Sequence, residues 1–268
     1  MQSQSHNEKI IIIDFGSQVT KLIARRIRDL GVFSEIITIN DLHNIRDYNG
    51  VKGIILSGGP STVTKKKFPK IPKEIFSKKI PILGICYGLQ LIAKLFKGSI
   101  KTLKTKREFG RATLFKKNES PLIINFFDKE NKSVWMSHQD VVTKIPKGFK
   151  IIASTNESKS TIIENTPNKV YGIQFHPEVT HTENGKIIFK NFLFSICKIK
   201  KTWHITSEKN RLVKQIKKIV KNDKVICALS GGVDSSVVAL LINKAIRNKL
   251  ICIMVDTGLM RKNEFKYS

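Results

Sequence analysis

Ile80-Pro-Ile-Leu-Gly-Ile-Cys-Tyr-Gly-Leu-Gln90, continued by Leu91-Ile-Ala-Lys-Leu-Phe96, is the stretch on which the fold turns. Residues 80–83 form an apolar run of strand length, and from Leu89 to Phe96 the apolar density is that of a buried helix. Between them Gly84 and Gly88 flank Cys86 in the form G-x-C-x-G, the cysteine analogue of a nucleophile elbow. The glycines permit a strained turn that lifts the thiol into the open, and the helix N-terminus behind it favours a thiolate. A buried structural cysteine accounts for the elbow, taken alone, equally well.

Working outward, Lys9-Ile-Ile-Ile-Ile13 is a strand run, followed by Asp14-Phe-Gly-Ser17. Val19, Leu22, Ile23, Ile27 and Leu30 then recur at helical spacing, with Arg25, Arg26 and Arg28 outside and Gly31 as the stop. Residues 33–39 and 53–56 read as strands, the second ending in Ser57-Gly-Gly-Pro60. Strands alternating with helices and Gly-rich turns define an α/β fold around a mainly parallel sheet. From about Gly98 to Thr166 the pattern changes to short strands and turns, with strands expected over 132–136, 150–153 and 160–163. A strand over 170–175 ends at His176-Pro-Glu178, a helix over 185–196 closes the unit, and 198–202 reads as a linker. A second α/β unit follows: a helix over 208–220, a strand over 224–229, the turn Ser230-Gly-Gly-Val-Asp-Ser-Ser236, a helix over 237–246 and a strand over 250–255. Two strands do not complete a doubly wound sheet. The expectation is therefore a first domain over 1–201 and a second, incomplete one over 202–268.

The 268 residues carry a formal net charge of +27, with 41% hydrophobic and 26% charged residues, enough apolar matter for a core. Such a charge would suit nucleic acid. The basic runs at 65–67, 78–79, 104–107, 198–201 and 217–218 are short and scattered, however, and no zinc finger, basic zipper or aromatic platform accompanies them. A Lys-rich composition is the better account. Cys86, Cys197, Cys227 and Cys252 are too few and scattered for a disulfide framework and form no CxxC pair for zinc. Apolar runs such as 10–13 are far short of a membrane span, and Met1-Gln-Ser-Gln-Ser-His-Asn-Glu-Lys9 lacks the apolar core of a secretion signal. The expectation is a cytoplasmic protein with neither a membrane nor a nucleic-acid partner.

A cysteine nucleophile needs a base and a group to orient it. His176 stands at the C-terminal end of a strand, where α/β sheets place active sites, and Glu178 lies two residues on with Pro177 fixing the turn. Glu178 can hold the imidazole in one tautomer. His181, near Glu183, is a rival. Backbone N–H groups at Gly58-Gly59 and at Tyr87 are candidates for stabilising an oxyanion.

Gly84-Ile-Cys-Tyr-Gly-Leu-Gln90, Gln174-Phe-His-Pro-Glu178 and Ser57-Gly-Gly-Pro60, in that constellation, resemble the class I (triad) glutamine amidotransferases across the whole first unit. The resemblance implies a flavodoxin-like, mainly parallel sheet. It also implies hydrolysis of glutamine to glutamate and ammonia through a γ-glutamyl thioester on Cys86. His176 would be base and then acid, Glu178 its orienting group, and Gly59 with Tyr87 the oxyanion hole. Gly58, Gln90, Ser137 and His138 would bind glutamine. In Val134-Trp-Met-Ser-His-Gln-Asp-Val141, Gln139 and Val141 depart from the family's Gly and Lys, while Ser137, His138 and Asp140 stand.

The turn Ser230-Gly-Gly-Val-Asp-Ser-Ser236 lacks the Gly-Lys-Ser/Thr ending of a Walker loop. Its small residues expose backbone N–H groups at a helix N-terminus, and the hydroxyls of Ser230, Ser235 and Ser236 can donate to phosphate oxygens. Asp234 is out of place in an anion site unless it helps hold Mg²⁺ on the phosphates. An ordinary strand–helix turn of small residues is the competing account. The string resembles the signature of the ATP pyrophosphatase (PP-loop) family. That resemblance implies ATP binding by Ser230, Gly231, Gly232, Val233, Asp234, Ser235 and Ser236, with Val255 and Asp256 in a second nucleotide-contact segment. ATP with Mg²⁺ would be a substrate complex, and no prosthetic group is implied.

Amidotransferase followed by PP-loop, together with Arg107-Glu-Phe-Gly110 and His176-Pro-Glu-Val-Thr-His-Thr182, resembles the glutamine-hydrolysing GMP synthetases. The resemblance implies adenylylation of XMP by ATP and displacement of AMP by ammonia, with glutamine, XMP and ATP as partners and a homodimer at full length. Chains of that family continue well past residue 268, so a fragment or a degenerate product is expected here. Two readings compete with it. One is a stand-alone glutaminase subunit feeding a partner, against which the PP-loop argues; the other is a basic nucleic-acid-binding protein, against which the triad argues.

Overall fold

A computed structural model describes residues 8–42, 45, 47–65, 68–69, 71–72, 74–102, 108–127 and 131–255. The chain divides between Thr202 and Trp203 into two compact units, each taken by itself below.

The first unit begins with β1 (Lys9–Asp14), α1 (Thr20–Asp29), β2 (Ser34–Thr38), α2 (Ile39–Leu42), β3 (Val51–Leu56), α3 (Glu74–Ser77), β4 (Ile82–Ile85) and α4 (Tyr87–Leu95). Then come β5 (Ser99–Thr102), β6 (Glu108–Lys116), β7 (Asn131–His138), β8 (Asp140–Lys144), β9 (Lys150–Ser154), β10 (Ile162–Asn165), β11 (Val170–Ile173) and α5 (Gly185–Lys190). The helix over 185–196 changes character midway: beyond α5, Asn191–Ile196 is a π-helical turn. Among the described residues nine strands make one sheet in the order β2-β1-β3-β4-β11-β10-β9-β6-β7. β2, β1, β3, β4 and β11 run parallel. From β11 onward β10, β9, β6 and β7 pair antiparallel, so the expected parallel sheet carries an antiparallel wing. β5 and β8 form a separate antiparallel ribbon.

The unbroken Ile10–Ile13 run follows from this placement, because an interior parallel strand is covered on both faces. Ile10 and Ile12 enter one core cluster with Ile23 and Ile27 of α1 and with Ile188, Phe189 and Phe192. Ile11 and Ile13 point the other way, into a cluster with Leu89, Ile92 and Ala93 of α4. Helices thus cover both faces of the parallel half, and each fully buried isoleucine stabilises it by roughly 1.5–3 kcal/mol. The sequence pattern passes over β6, whose alternation is weak: its burial runs mostly between half-buried and exposed.

The second unit comprises α6 (Ile205–Val220), β12 (Val225–Leu229), α7 (Val233–Ile246) and β13 (Leu250–Met254), with β12 and β13 parallel. α7 starts at Val233 rather than at 237. Extended Gly232 is its N-cap, and the hydroxyls of Ser235 and Ser236 donate to the Gly232 carbonyl (3.0 Å each), drawing both serines into the first turn. β13 ends one residue before Val255.

Candidate active site

Cys86 sits between the last residue of β4 and the first of α4, with φ 52° and ψ −105°. For a residue with a Cβ this is strained, costing on the order of 1–3 kcal/mol. The strain lies on the cysteine and not on its glycine neighbours, neither of which has a positive φ. Gly84 and Gly88 are required for a different reason. A Cβ at Gly84 would lie 2.5 Å from the Gly88 carbonyl carbon, and one at Gly88 would lie 2.4 Å from the Leu56 oxygen. Helix and strands pack backbone to backbone there, and only glycine fits.

The Cys86 amide donates to the Ile173 carbonyl at the end of β11 (2.8 Å), extending the β4–β11 pairing into the elbow. The same strand end delivers His176 three residues later. His176 Nδ1 lies 2.7 Å from Glu178 Oε1, and Glu178 is completely buried. The turn that carries both is pinned from several sides. The His176 amide donates to the Trp135 carbonyl of β7 (3.0 Å). The Thr182 hydroxyl donates to the His176 carbonyl (2.6 Å) and accepts from the Trp135 amide (3.0 Å), while Arg26 Nε of α1 donates to the Glu178 carbonyl (2.9 Å). None of Arg26, Trp135 and Thr182 is recoverable from local spacing, since each acts across the fold.

Burial acts to lower the His176 pKa, yet hydrogen bonds with Cys86 and Glu178 and the charge of Glu178 outweigh it and push the imidazole up to about 10. His176 Nδ1 rests on Glu178, while its Cε1 and the Cys86 Cβ both border the space above Gly58. His181 is exposed, its ring 4.4 Å from that of Trp135.

A cavity of about 550 Å³ opens beside the sulfur, walled by Gly59, Thr62, Lys65, Cys86, Tyr87, Gln90, Thr102, Ser137, His138 and Asp140 among others. Gly58 lies beneath this wall: a Cβ there would come within 3.3 Å of His176 Cε1 and 3.8 Å of Cys86 Cβ. Gln90 does not point its amide nitrogen at the cavity alone, for Nε2 donates to the Asp140 carbonyl (2.9 Å). The Asp140 carboxylate accepts from Thr102 (2.5 Å) and from Thr62, tying α4, β5 and the loop after β3 to β8. His138 Nε2 lies 3.0 Å from Glu108 Oε2, and Glu108 Oε1 accepts from Thr155 (2.7 Å).

In the second unit Gly231 takes φ 73°, a conformation open to glycine at little cost, and carries the chain from β12 to the N-cap of α7. The turn is closed by its own serines: Ser235 Oγ accepts from the Ser230 amide (3.2 Å) and lies 3.1 Å from Ser230 Oγ. Val233, Asp234 and Ser236 are exposed, as is Val255. Asp256 lies outside the described residues, as do Arg107 and the rest of the segment after Val255. Among the described residues no group of three or more His, Cys, Asp or Glu side chains is arranged to hold a metal, and no helix is long and apolar enough to cross a membrane.

A cysteine at a strand–helix elbow with a buried His–Glu pair on the neighbouring strand end describes a thiol-dependent hydrolase site on an α/β sheet. Residues 11–196 match the family described as glutamine amidotransferase class-I, and the chain belongs to that family. Residues 205–266 match the family described as NAD synthase. The GMP synthase [glutamine-hydrolyzing] of Clostridium botulinum (strain Langeland) is 46% identical over 260 residues, which are 97% of this chain and 50% of that protein. The protein of the same name from Borrelia garinii subsp. bavariensis is 49% identical over 259 residues, 96% of this chain and 48% of its own length. The chain thus spans about half the length of the curated relatives it matches. A solved structure from Thermoplasma acidophilum, provisionally described as one subunit of a GMP synthase, superposes with a TM-score of 0.61 at 29% identity. It covers 73% of this chain and 96% of that one.

Proposed function

We propose that the first domain, taken as 1–201, hydrolyses glutamine to glutamate and ammonia at Cys86, His176 and Glu178. The observation that carries the proposal is a cysteine held in a strained elbow against an imidazole whose Nδ1 rests on a fully buried carboxylate. With its proton passed to His176, Cys86 Sγ attacks the side-chain carbonyl carbon of glutamine as the thiolate. Backbone amides of Gly59 and Tyr87 hold the oxyanion. His176 returns the proton to the departing nitrogen, leaving a γ-glutamyl thioester and ammonia. Water, deprotonated by His176, then attacks the thioester and releases glutamate and the thiol. Gln90, Ser137 and His138 shape the glutamine cavity, and Gly58 keeps the histidine seated by having no side chain.

We further propose that the longer protein carrying this chain makes GMP from XMP in the cytoplasm as a homodimer. Its second domain, beginning at 202, would bind ATP through Ser230 to Ser236, Val255 and Asp256. XMP is adenylylated there, and ammonia from the first domain displaces AMP. Mg²⁺ arrives with ATP, and Asp234, exposed in the first turn of α7, is the acidic group this loop offers it. The identity to GMP synthases across both units and the NAD synthase match support this reading. The similarity to a protein described as a single GMP synthase subunit favours a second reading, a separate glutaminase that feeds a partner chain.

Two assays decide. Purified chain should release ammonia from glutamine, and Cys86→Ala should not. In the longer gene product Cys86→Ala should still convert XMP to GMP with ammonium but not with glutamine. Parent-rate hydrolysis by Cys86→Ala would end the triad assignment, and absence of GMP with either nitrogen source would leave the glutaminase reading alone.

A further inference from the structure

Gln174 stands between β11 and His176, and its side chain is almost completely buried. Its Nε2 lies 3.7 Å from Cys86 Sγ, within hydrogen-bond range for sulfur, while its Oε1 is buried with no hydrogen-bond partner among the described residues. A buried amide with an unsatisfied oxygen costs free energy; the Gln174 backbone is anchored on the Thr161 carbonyl (2.9 Å), which sets the side chain beside Cys86. Among the described residues the sulfur is the hydrogen-bond partner of that nitrogen. On another side of Sγ, 3.7 Å away, is the Ser137 carbonyl, an acceptor for the S–H of the neutral thiol. The sulfur therefore has an acceptor for its protonated state and, in Gln174, a donor for its anionic state.

We infer that Gln174 is a further catalytic residue of the glutaminase, donating its amide N–H to Cys86 Sγ and stabilising the thiolate from which attack starts. This rests on the assignment of Cys86 as nucleophile. A neutral donor suits the place better than a cation would. It favours the anion without competing with His176 for the proton, and the sulfur can leave it when the thioester forms. Other titratable groups around the sulfur are His176 with Glu178 behind it, and Lys65, His138 and Asp140 in the cavity wall. All of these are left intact by changes at 174.

The test uses the full chain and two variants: Gln174→Met, which keeps the shape but has no donor, and Gln174→Glu, which puts an oxygen in its place. Alkylation of Cys86 by iodoacetamide is followed as a function of pH by mass spectrometry of the Cys86 peptide, apart from Cys197, Cys227 and Cys252. Loss of one hydrogen bond to an anion should raise the midpoint by about one pH unit in Gln174→Met, and by more in Gln174→Glu. At neutral pH kcat for glutamine should fall roughly tenfold, with KM nearly unchanged, because the contact is to the nucleophile and not to the substrate. An unchanged midpoint in both variants overturns the proposal. A downward shift in Gln174→Met also overturns it, since that would mean the amide oxygen faces the sulfur. Should Gln174→Met fail to fold, judged by circular dichroism, Gln174→Leu, which likewise has no donor and no charge, takes its place under the same criteria. Failure of the nucleophile assignment shows separately, as glutamine hydrolysis surviving in Cys86→Ala.

Discussion

The elbow at Cys86 and the loop at Ser230 are built from the same local parts: an apolar parallel strand, two glycines, and a helix whose N-terminus faces the turn. They differ in what stands behind them. Around the elbow Ile82, Leu83, Ile85, Leu89, Leu91 and Ile92 are all fully buried, and the glycines exist so that helix and strand can touch. Around the loop only Cys227 and Ala245 are buried among the described residues of the second unit, while Val233 (78% exposed) and Leu240 (68%) face solvent. The elbow can carry a strained residue because its surroundings over-determine it. The loop relies on glycine φ freedom and on serines that bond one another. The same local parts thus stand in a closed core in the first unit and in an open one in the second, within a stretch that spans about half the length of its curated relatives.

The widest gap between the two should appear in activity. His176→Ala should lower glutamine turnover on the order of 10²–10⁴-fold, as loss of a general acid–base does, whereas His181→Ala should stay close to the parent rate in an ammonia-release assay. Equal losses would move the base to the exposed ring. Glycine substitutions should separate the two turns in stability. Gly88→Ala drives a Cβ into the Leu56 backbone and should destabilise the first unit by about 3 kcal/mol, the upper end of overpacking costs. Gly231→Ala in the loop should cost only about 1 kcal/mol, the expense of a left-handed residue. Denaturant titration of each variant measures both, and a cheap Gly88→Ala would show that the elbow is not tightly packed.

Acidity supplies a subtler contrast. His176 is raised from 6.5 to about 10 in the folded unit. Its contribution to stability is therefore fully present below about pH 6.5 and is lost as pH rises towards about 10. The stability advantage of the parent over His176→Gln should shrink across that window, and an advantage that grows with pH would contradict the His176–Glu178 pairing. The smallest effect is expected at the loop. Millimolar Mg·ATP should leave the melting of the 268-residue chain unmoved, because ordering an unsupported loop consumes the binding free energy. A clear upward shift would show the loop to be better organised than its exposed neighbours suggest.

Much of the site is legible in the sequence because its parts are local. The β1 isoleucine run, the G-x-C-x-G turn and the His176-Pro-Glu178 corner each carry their geometry within a few residues. A strained turn is legible there, but not that the strain falls on a buried Cys86 while the glycines serve close packing. Nor could spacing reveal Thr182, Arg26 or the Asp140 hub, whose partners lie in other elements and meet only when the sheet closes. Gln174 is legible as part of a motif, but only the fold brings its amide nitrogen to the sulfur. The start of α7 shifted because serine hydroxyls, neutral in any hydropathy pattern, bond back to Gly232.

On the proposed triad, burial and preorganisation, not exposure, make the reactive thiol. Cys86 is 6% exposed and Cys252 lies open to solvent, so the two compete within one chain. The chain is mixed with glutamine, acid-quenched within the first turnovers and mapped by peptide mass spectrometry. A γ-glutamyl adduct on the Cys86 peptide, absent from the Cys252 peptide and from His176→Ala protein, is the expected result. Continued glutamine hydrolysis with no acyl group on Cys86, or with the adduct on Cys252, would contradict it.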